Sequence, residues 1–180
     1  AKDILKVGAA GYGFLLTAFG VGSLITMLIL AYLPPMRKAG KVLLWCVAGY
    51  GLAMVAFGAS KIFWLSMLML FLAGGLDSIS VVVRHTLVQV ITPDYLRGRV
   101  SAINGLFIGV SNELGGFESG TLAKFIGPIP TVILGGIGTV IVVAGVAFKW
   151  PQLRNLDTLE EAAQEAQKKY GDMAEMSVES

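Results

Sequence analysis

The sequence predicts an all-α membrane protein, a polytopic bundle of five transmembrane helices followed by a polar tail. Three observations carry that prediction. The 180 residues are 55% hydrophobic and 14% charged, where soluble domains average about 25% charged, and the mean hydropathy is +0.73. Uncharged stretches recur at a length near the ~20 helical residues that cross a ~30 Å hydrocarbon core. The alternating pattern of a membrane barrel strand is absent, and lipid offers backbone groups no partner, so the stretches must be helical.

The spans are expected at 7–33, 42–60, 62–92, 100–125 and 131–148, with residues 151–180 as the tail. The first closes at Pro34-Pro35 and the basic cluster of Arg37, Lys38 and Lys41. It is too long for the ~7–15 residue apolar region of a secretory signal, and no polar mature domain follows it. Lys61 stops the second. The third runs to Pro93 with Asp77, Arg84 and His85 inside it. At 1.5 Å per residue it makes about 46 Å of helix, so its far end must project beyond the lipid. The fourth carries Asn104, Asn112, Glu113, Glu118 and Lys124, and the fifth is an apolar run closed by Lys149, Trp150 and Pro151.

Sidedness follows from the distribution of Lys and Arg. One face would hold Lys2, Lys6, Lys61 and Lys124; the other Arg37, Lys38, Lys41, Arg97, Arg99, Lys149, Arg154, Lys168 and Lys169. The richer face is expected to be cytoplasmic, which places the N-terminus outside and the tail inside. The tail is acidic overall. Thr158 and Glu161 have capping-box spacing, Glu165 and Lys169 form a four-residue pair and Gly171 can end a helix. A short solvated helix is expected there, with a partner-docking helix as the alternative.

Helices in lipid pack through small residues that let backbones approach. On the fourth span Gly105, Gly109, Asn112, Gly116 and Gly120 fall on one helical face. Gly8, Gly11, Ala18 and Gly22 make a similar stripe on the first span, and Thr131, Gly135, Gly138 and Gly145 on the fifth. Every span but the third is therefore expected to have a close-contact face. The competing account is that Gly is simply commoner in membrane helices.

Acids inside the hydrocarbon are costly and are functional candidates by default. Asp77 lies ~22 Å along the third span, with Arg84 seven residues on and leaning back toward it. A pair that anchors the helix at the interface is the bland alternative. Glu113 sits ~20 Å into the fourth span, with no basic neighbour one turn away. A carboxyl at that depth suits a protonation switch or a site for a cationic ligand; a neutral Glu hydrogen-bonded across a helix contact is the other reading. Glu118, nearer the outer surface, fits an external vestibule. His85 reads as an interfacial residue and Cys46 as inert.

Several functions are excluded. One Cys and one His cannot build a disulfide framework or a Cys/His metal cage. The net charge of +2 is scattered singly, which gives no nucleic-acid footprint. Neither a phosphate-binding glycine loop nor a catalytic Ser or Cys set is present, so no enzyme, cofactor or metal is expected.

Residues 84–102 (RHTLVQVITPDYLRGRVSA), together with 112–120 (NELGGFESG) and Gly127-Pro128, resemble a major facilitator superfamily exporter. The resemblance is to the branch of bacterial drug efflux proteins and the enterobactin exporter, and covers most of residues 7–156. It implies that the five spans are helices 8 to 12 of a twelve-helix transporter in the bacterial inner membrane, and that the chain is a fragment inactive alone. Its partners would then be the bilayer, a small amphipathic substrate and the missing N-terminal helices. It also implies a substrate or proton pathway lined by Asp77, Asn112, Glu113 and Glu118, and a cytoplasmic gate formed by Arg84, Asp94, Arg97, Gly98 and Arg99. Lys38-Ala-Gly-Lys41 is similar to the family's Arg-x-Gly-Arg hairpin motif, with Arg37 where the preceding Asp would stand, and Gly116 replaces an expected Glu. The rival from another class is a stand-alone membrane subunit that uses its glycine faces to bind another protein.

Overall fold

A computed structural model describes residues 9–33 and 39–149. The expected tail helix, Gly8 and the Arg37-Lys38 part of the hairpin lie outside the described residues. Five helices follow in order, α1 (Ala9–Tyr32), α2 (Ala39–Ala59), α3 (Phe63–Ile91), α4 (Arg97–Ile126) and α5 (Pro128–Lys149), with a 3-10 turn at Asp94–Leu96 between α3 and α4.

Four of the five are long and apolar enough to cross a membrane: Ala10–Tyr32, Ala39–Ala59, Phe63–Val90 and Pro128–Lys149. Four of the five expected spans thus have a matching apolar helix, and α4 differs from them. Its 30 residues are long enough, but Arg97, Arg99, Glu113, Glu118 and Lys124 together with its glycines hold its hydropathy below that of the others. Three helices begin ahead of the expected spans. α2 starts at Ala39, ahead of the expected 42, because Lys41 can sit in a first turn with its aliphatic stem along apolar surface. α4 starts at Arg97, not 100, since charged residues are no bar to a helix at the membrane edge. α5 starts at Pro128, not 131, because a proline in the first helical turn loses no hydrogen bond.

The helices pack in the order α1, α3, α2, α5, with α2 between α3 and α5. Pro93 and the 3-10 turn end α3; the turn closes with Leu96 N donating to Pro93 O at 3.0 Å. At the other end of α4, Gly127 has φ 88° and ψ 161°, a conformation essentially confined to glycine, and this lets the chain reverse directly into Pro128.

Burial is inverted relative to a soluble domain. The buried positions are mostly small or polar, among them Ala39, Ala53, Ala73, Ser66, Ser78 and Ser80, with Leu15 and Val83 the larger apolar side chains. Trp45, Trp64, Phe14, Leu28 and Ile141 point outward. In water such a surface would associate, whereas in lipid it is solvated and the small residues let the backbones meet.

The closest approach is between α1 and α3, which run in the same direction. A Cβ on Gly22 would overlap the carbonyl oxygen of Phe71, and one on Gly74 would overlap that of Phe19. One turn further, the same seam joins the hydroxyls of Ser23 and Ser78 in a hydrogen bond, and Thr26 Oγ1 stands 2.7 Å from where a Gly75 Cβ would be. The expectation that the third span lacks a close-contact face is therefore overturned: α3 makes the tightest contact of all, through Gly74 and Gly75. On α5 the contact falls on Gly136, against Gly51 of α2, while Gly135, Gly138 and Gly145 are open. Of the expected stripe Thr131 is buried, while the glycine contact falls one residue beyond Gly135.

Among the described residues, one buried side-chain polar atom has no partner. The Ser66 hydroxyl, fully buried on α3, makes no hydrogen bond. Ser66→Ala is expected to raise the unfolding free energy by about 1 kcal/mol by removing that group. The check is an SDS titration in mixed micelles; a lower midpoint than wild type would show that the hydroxyl is satisfied after all.

Candidate functional site

The charged and amide side chains carried within the helices concentrate on α3 and α4. On α3 they lie along the line 77, 80, 84. Ser80 Oγ donates to the Asp77 carbonyl at 2.9 Å, and Arg84 Nε donates to the Ser80 carbonyl at 3.3 Å. Asp77 and Arg84 form no ion pair; the helix turn between them takes up the guanidinium's Nε and directs the rest outward. Asp77 is half-buried and lies close enough to Tyr50 on α2 for its charge to act there. Sequence reasoning missed Tyr50. Its signal was position, since it lies near the middle of α2 and away from the interfacial belt where membrane tyrosines concentrate.

The expected gate residues bracket the connection of α3 to α4. Asp94 opens the 3-10 turn, and its side chain lies outside what is described. Arg97, the first residue of α4, donates Nε to the carbonyls of Gln89 at 3.2 Å and Thr92 at 3.3 Å. It therefore satisfies carbonyls that the end of α3 leaves open and places its positive charge at that helix's negative end. Gly98 and Arg99 are exposed, with nothing within 4 Å of a Cβ at Gly98.

Every residue from Gly105 to Gly120 is exposed. Asn112, Glu113 and Glu118 are among them, and a Cβ at Gly105, Gly109, Gly116 or Gly120 would meet nothing within 4 Å. The helix touches α5 around the Gly127 hairpin and α3 only slightly. Asp77 is thus separate from the α4 acids: it lies against α2, whereas Glu113 and Glu118 stand on a face that none of the described helices covers.

Between α3 and α4 lies a cleft of about 330 Å³ lined by Val81, Arg84, His85, Leu87, Val88, Asn104 and Ile108. Positions 81, 84, 85 and 88 share one helical face, as do 104 and 108. A second groove, about 440 Å³ between α2 and α5, is apolar apart from Lys41 and opens beside the exposed Trp45. A third, about 410 Å³ between α1 and α3, is lined by apolar side chains and Thr17.

An apolar exterior, contacts made through glycine and serine, and several bilayer-length helices define a multi-pass α-helical membrane protein. The family is settled by comparison: the chain belongs to the major facilitator superfamily of transporters, its residues 1–178 matching the family described as transmembrane secretion effector. No curated protein and no solved structure matches it significantly.

Proposed function

We propose that this chain forms the C-terminal part of a secondary active exporter, with its spans corresponding to helices 8 to 12 of the superfamily fold. It would move a small amphipathic compound of drug or siderophore type out across the bacterial inner membrane, by proton antiport, and would be inactive alone. The observation that carries this reading is α4. Residues 105–120 of this helix, which carry two carboxylates and an amide, are exposed throughout, and such groups are costly against lipid. They are accommodated if α4 lines a water-filled path facing further helices of the same transporter. The glycine face then lets those helices approach, and the basic residues on the α3–α4 connection fit a cytoplasmic position by the positive-inside rule.

In this reading Glu113 exchanges protons while Asn112, Glu118 and Asp77 line the route. Glu113→Gln in the full-length transporter is expected to reduce proton-dependent efflux from everted vesicles at least tenfold while leaving the amount of protein in the membrane unchanged, in line with ~10²–10⁴-fold for a positioned proton-transfer group. Unaltered efflux would remove Glu113 from the mechanism. A chain that instead serves as a binding subunit without transport would show no efflux in either form, and would co-purify with its partner regardless of Glu113.

A further inference from the structure

We propose that the cleft between α3 and α4 is a binding site for an anionic oxygen headgroup, carboxylate or phosphate, carried on an apolar chain. The assignment rests on the membrane placement of α3 and α4 and is independent of whether the protein transports.

Three polar side chains line this cleft, Arg84 and His85 exposed and Asn104 half-buried. Arg84 engages only its Nε, so its terminal nitrogens have no partner among the described residues. His85 and the half-buried Asn104 have no side-chain hydrogen bond there either. All three can donate, and Arg84 carries a fixed positive charge. No lining residue is acidic. The remaining wall is Val81, Leu87, Val88 and Ile108.

This composition selects an anion. A guanidinium presents its N–H groups as a planar fork that matches two oxygens of a carboxylate or phosphate, and anchoring Nε to the Ser80 carbonyl fixes the fork's direction. A cationic ligand would meet only repulsion. The apolar wall selects a tail. Arg84 lies about 32 Å along α3 from Phe63, at the edge of a ~30 Å hydrocarbon layer. Val81 and Ile108 are one turn deeper on their helices, so a headgroup at Arg84 directs its chain toward the bilayer interior. At about 330 Å³ the cleft is at the lower end of ligand-pocket sizes, with room for a headgroup and the first part of a chain. An anionic lipid and a soluble amphipathic acid share this chemistry.

The test uses the full-length gene product in phosphatidylcholine nanodiscs, with decanoate, decyl phosphate and decyltrimethylammonium as probes by calorimetry. The two anions are expected to bind and the cation not. Arg84→Gln should weaken decanoate about tenfold or more, the usual scale for a hydrogen bond to a charged group. Ile108→Trp, which fills the cleft and leaves the charge in place, should weaken it similarly; circular dichroism and elution volume report folding, and Ile108→Trp carries the test if Arg84→Gln does not fold. Equal decanoate affinity in the folded variants and wild type, or cation binding as tight as anion binding, overturns the proposal. A second arm adds phosphatidylglycerol to the discs. Loss of decanoate binding, with that lipid retained in native mass spectra by wild type and not by Arg84→Gln, assigns a lipid headgroup. Undiminished decanoate binding assigns a soluble amphiphile.

Discussion

Replacing Gly22 by alanine is expected to lower the stability of the helix bundle by ~2 kcal/mol or more, at the upper part of the range for overpacking. Elsewhere in a helix the same change helps, because alanine is favoured over glycine by up to ~1 kcal/mol. The difference lies in what the new methyl group would meet. At Gly22 it is the backbone carbonyl of Phe71, and at Gly74 the carbonyl of Phe19; a backbone atom inside a helix cannot swing aside as a side-chain tip can. The helices would have to separate, which would also part the hydroxyls of Ser23 and Ser78. Most of α1's packing is against α3, so this seam is the one that holds it. Gly20 sits half a turn away with nothing within 4 Å, and Gly20→Ala is the control, neutral or slightly stabilising. An SDS titration of the three variants Gly20→Ala, Gly22→Ala and Gly74→Ala decides it. If all three behave alike, the α1–α3 contact is looser than described.

The reason the helices could be read from the sequence while their contacts could not is that two different physical constraints act. Bilayer thickness fixes the length of an uncharged run, so the runs 7–33 and 131–148 predict helices without reference to any neighbour. Contact is a property of two surfaces. On α5 the glycines at 135, 136 and 138 offer several candidate faces, and spacing pointed to the face of Gly135 and Gly138, whereas the structure uses Gly136. On α4 the spacing of Gly105, Gly109, Gly116 and Gly120 is regular, yet periodicity does not say what lies opposite, and among the described residues nothing does. The sequence points Arg84 along its own helix toward Asp77; in the structure its Nε bonds the Ser80 carbonyl instead, and the side chain lines the same cleft as Asn104 of α4. The stripe 81, 84, 85, 88 was present in the sequence, but its meaning depended on residues 104 and 108 arriving beside it. Tyr50 posed the same problem, because its interaction with Asp77 crosses from α2 to α3.

The α2–α5 seam leads to a sharper expectation, on coupling rather than on either variant alone. A Cβ on Gly51 would stand 2.9 Å from the Gly136 carbonyl oxygen and 2.9 Å from Val140 Cγ2; a Cβ on Gly136 would stand 2.7 Å from the Gly51 carbonyl oxygen and 2.7 Å from Val55 Cγ2. Each glycine leaves room for the other's backbone. Either alanine should therefore cost about 1–3 kcal/mol, because the valine tips yield but the carbonyls do not. Once one methyl group has forced the helices apart, the second enters space already opened. The Gly51→Ala, Gly136→Ala pair should then be less damaging than the sum of its members, with a coupling of about 0.5–3 kcal/mol, as for residues in direct contact. Gly58 and Ile133 form the next contact along the same two helices, where a Cβ on Gly58 would lie 2.8 Å from Ile133 Cγ1. There the obstacle is a side-chain atom, so Gly58→Ala should be milder than Gly51→Ala and should be eased further by Ile133→Val or Ile133→Ala. Strict additivity of Gly51→Ala and Gly136→Ala would mean that the two glycines do not share an interface, and the placement of α5 against α2 would have to be redrawn.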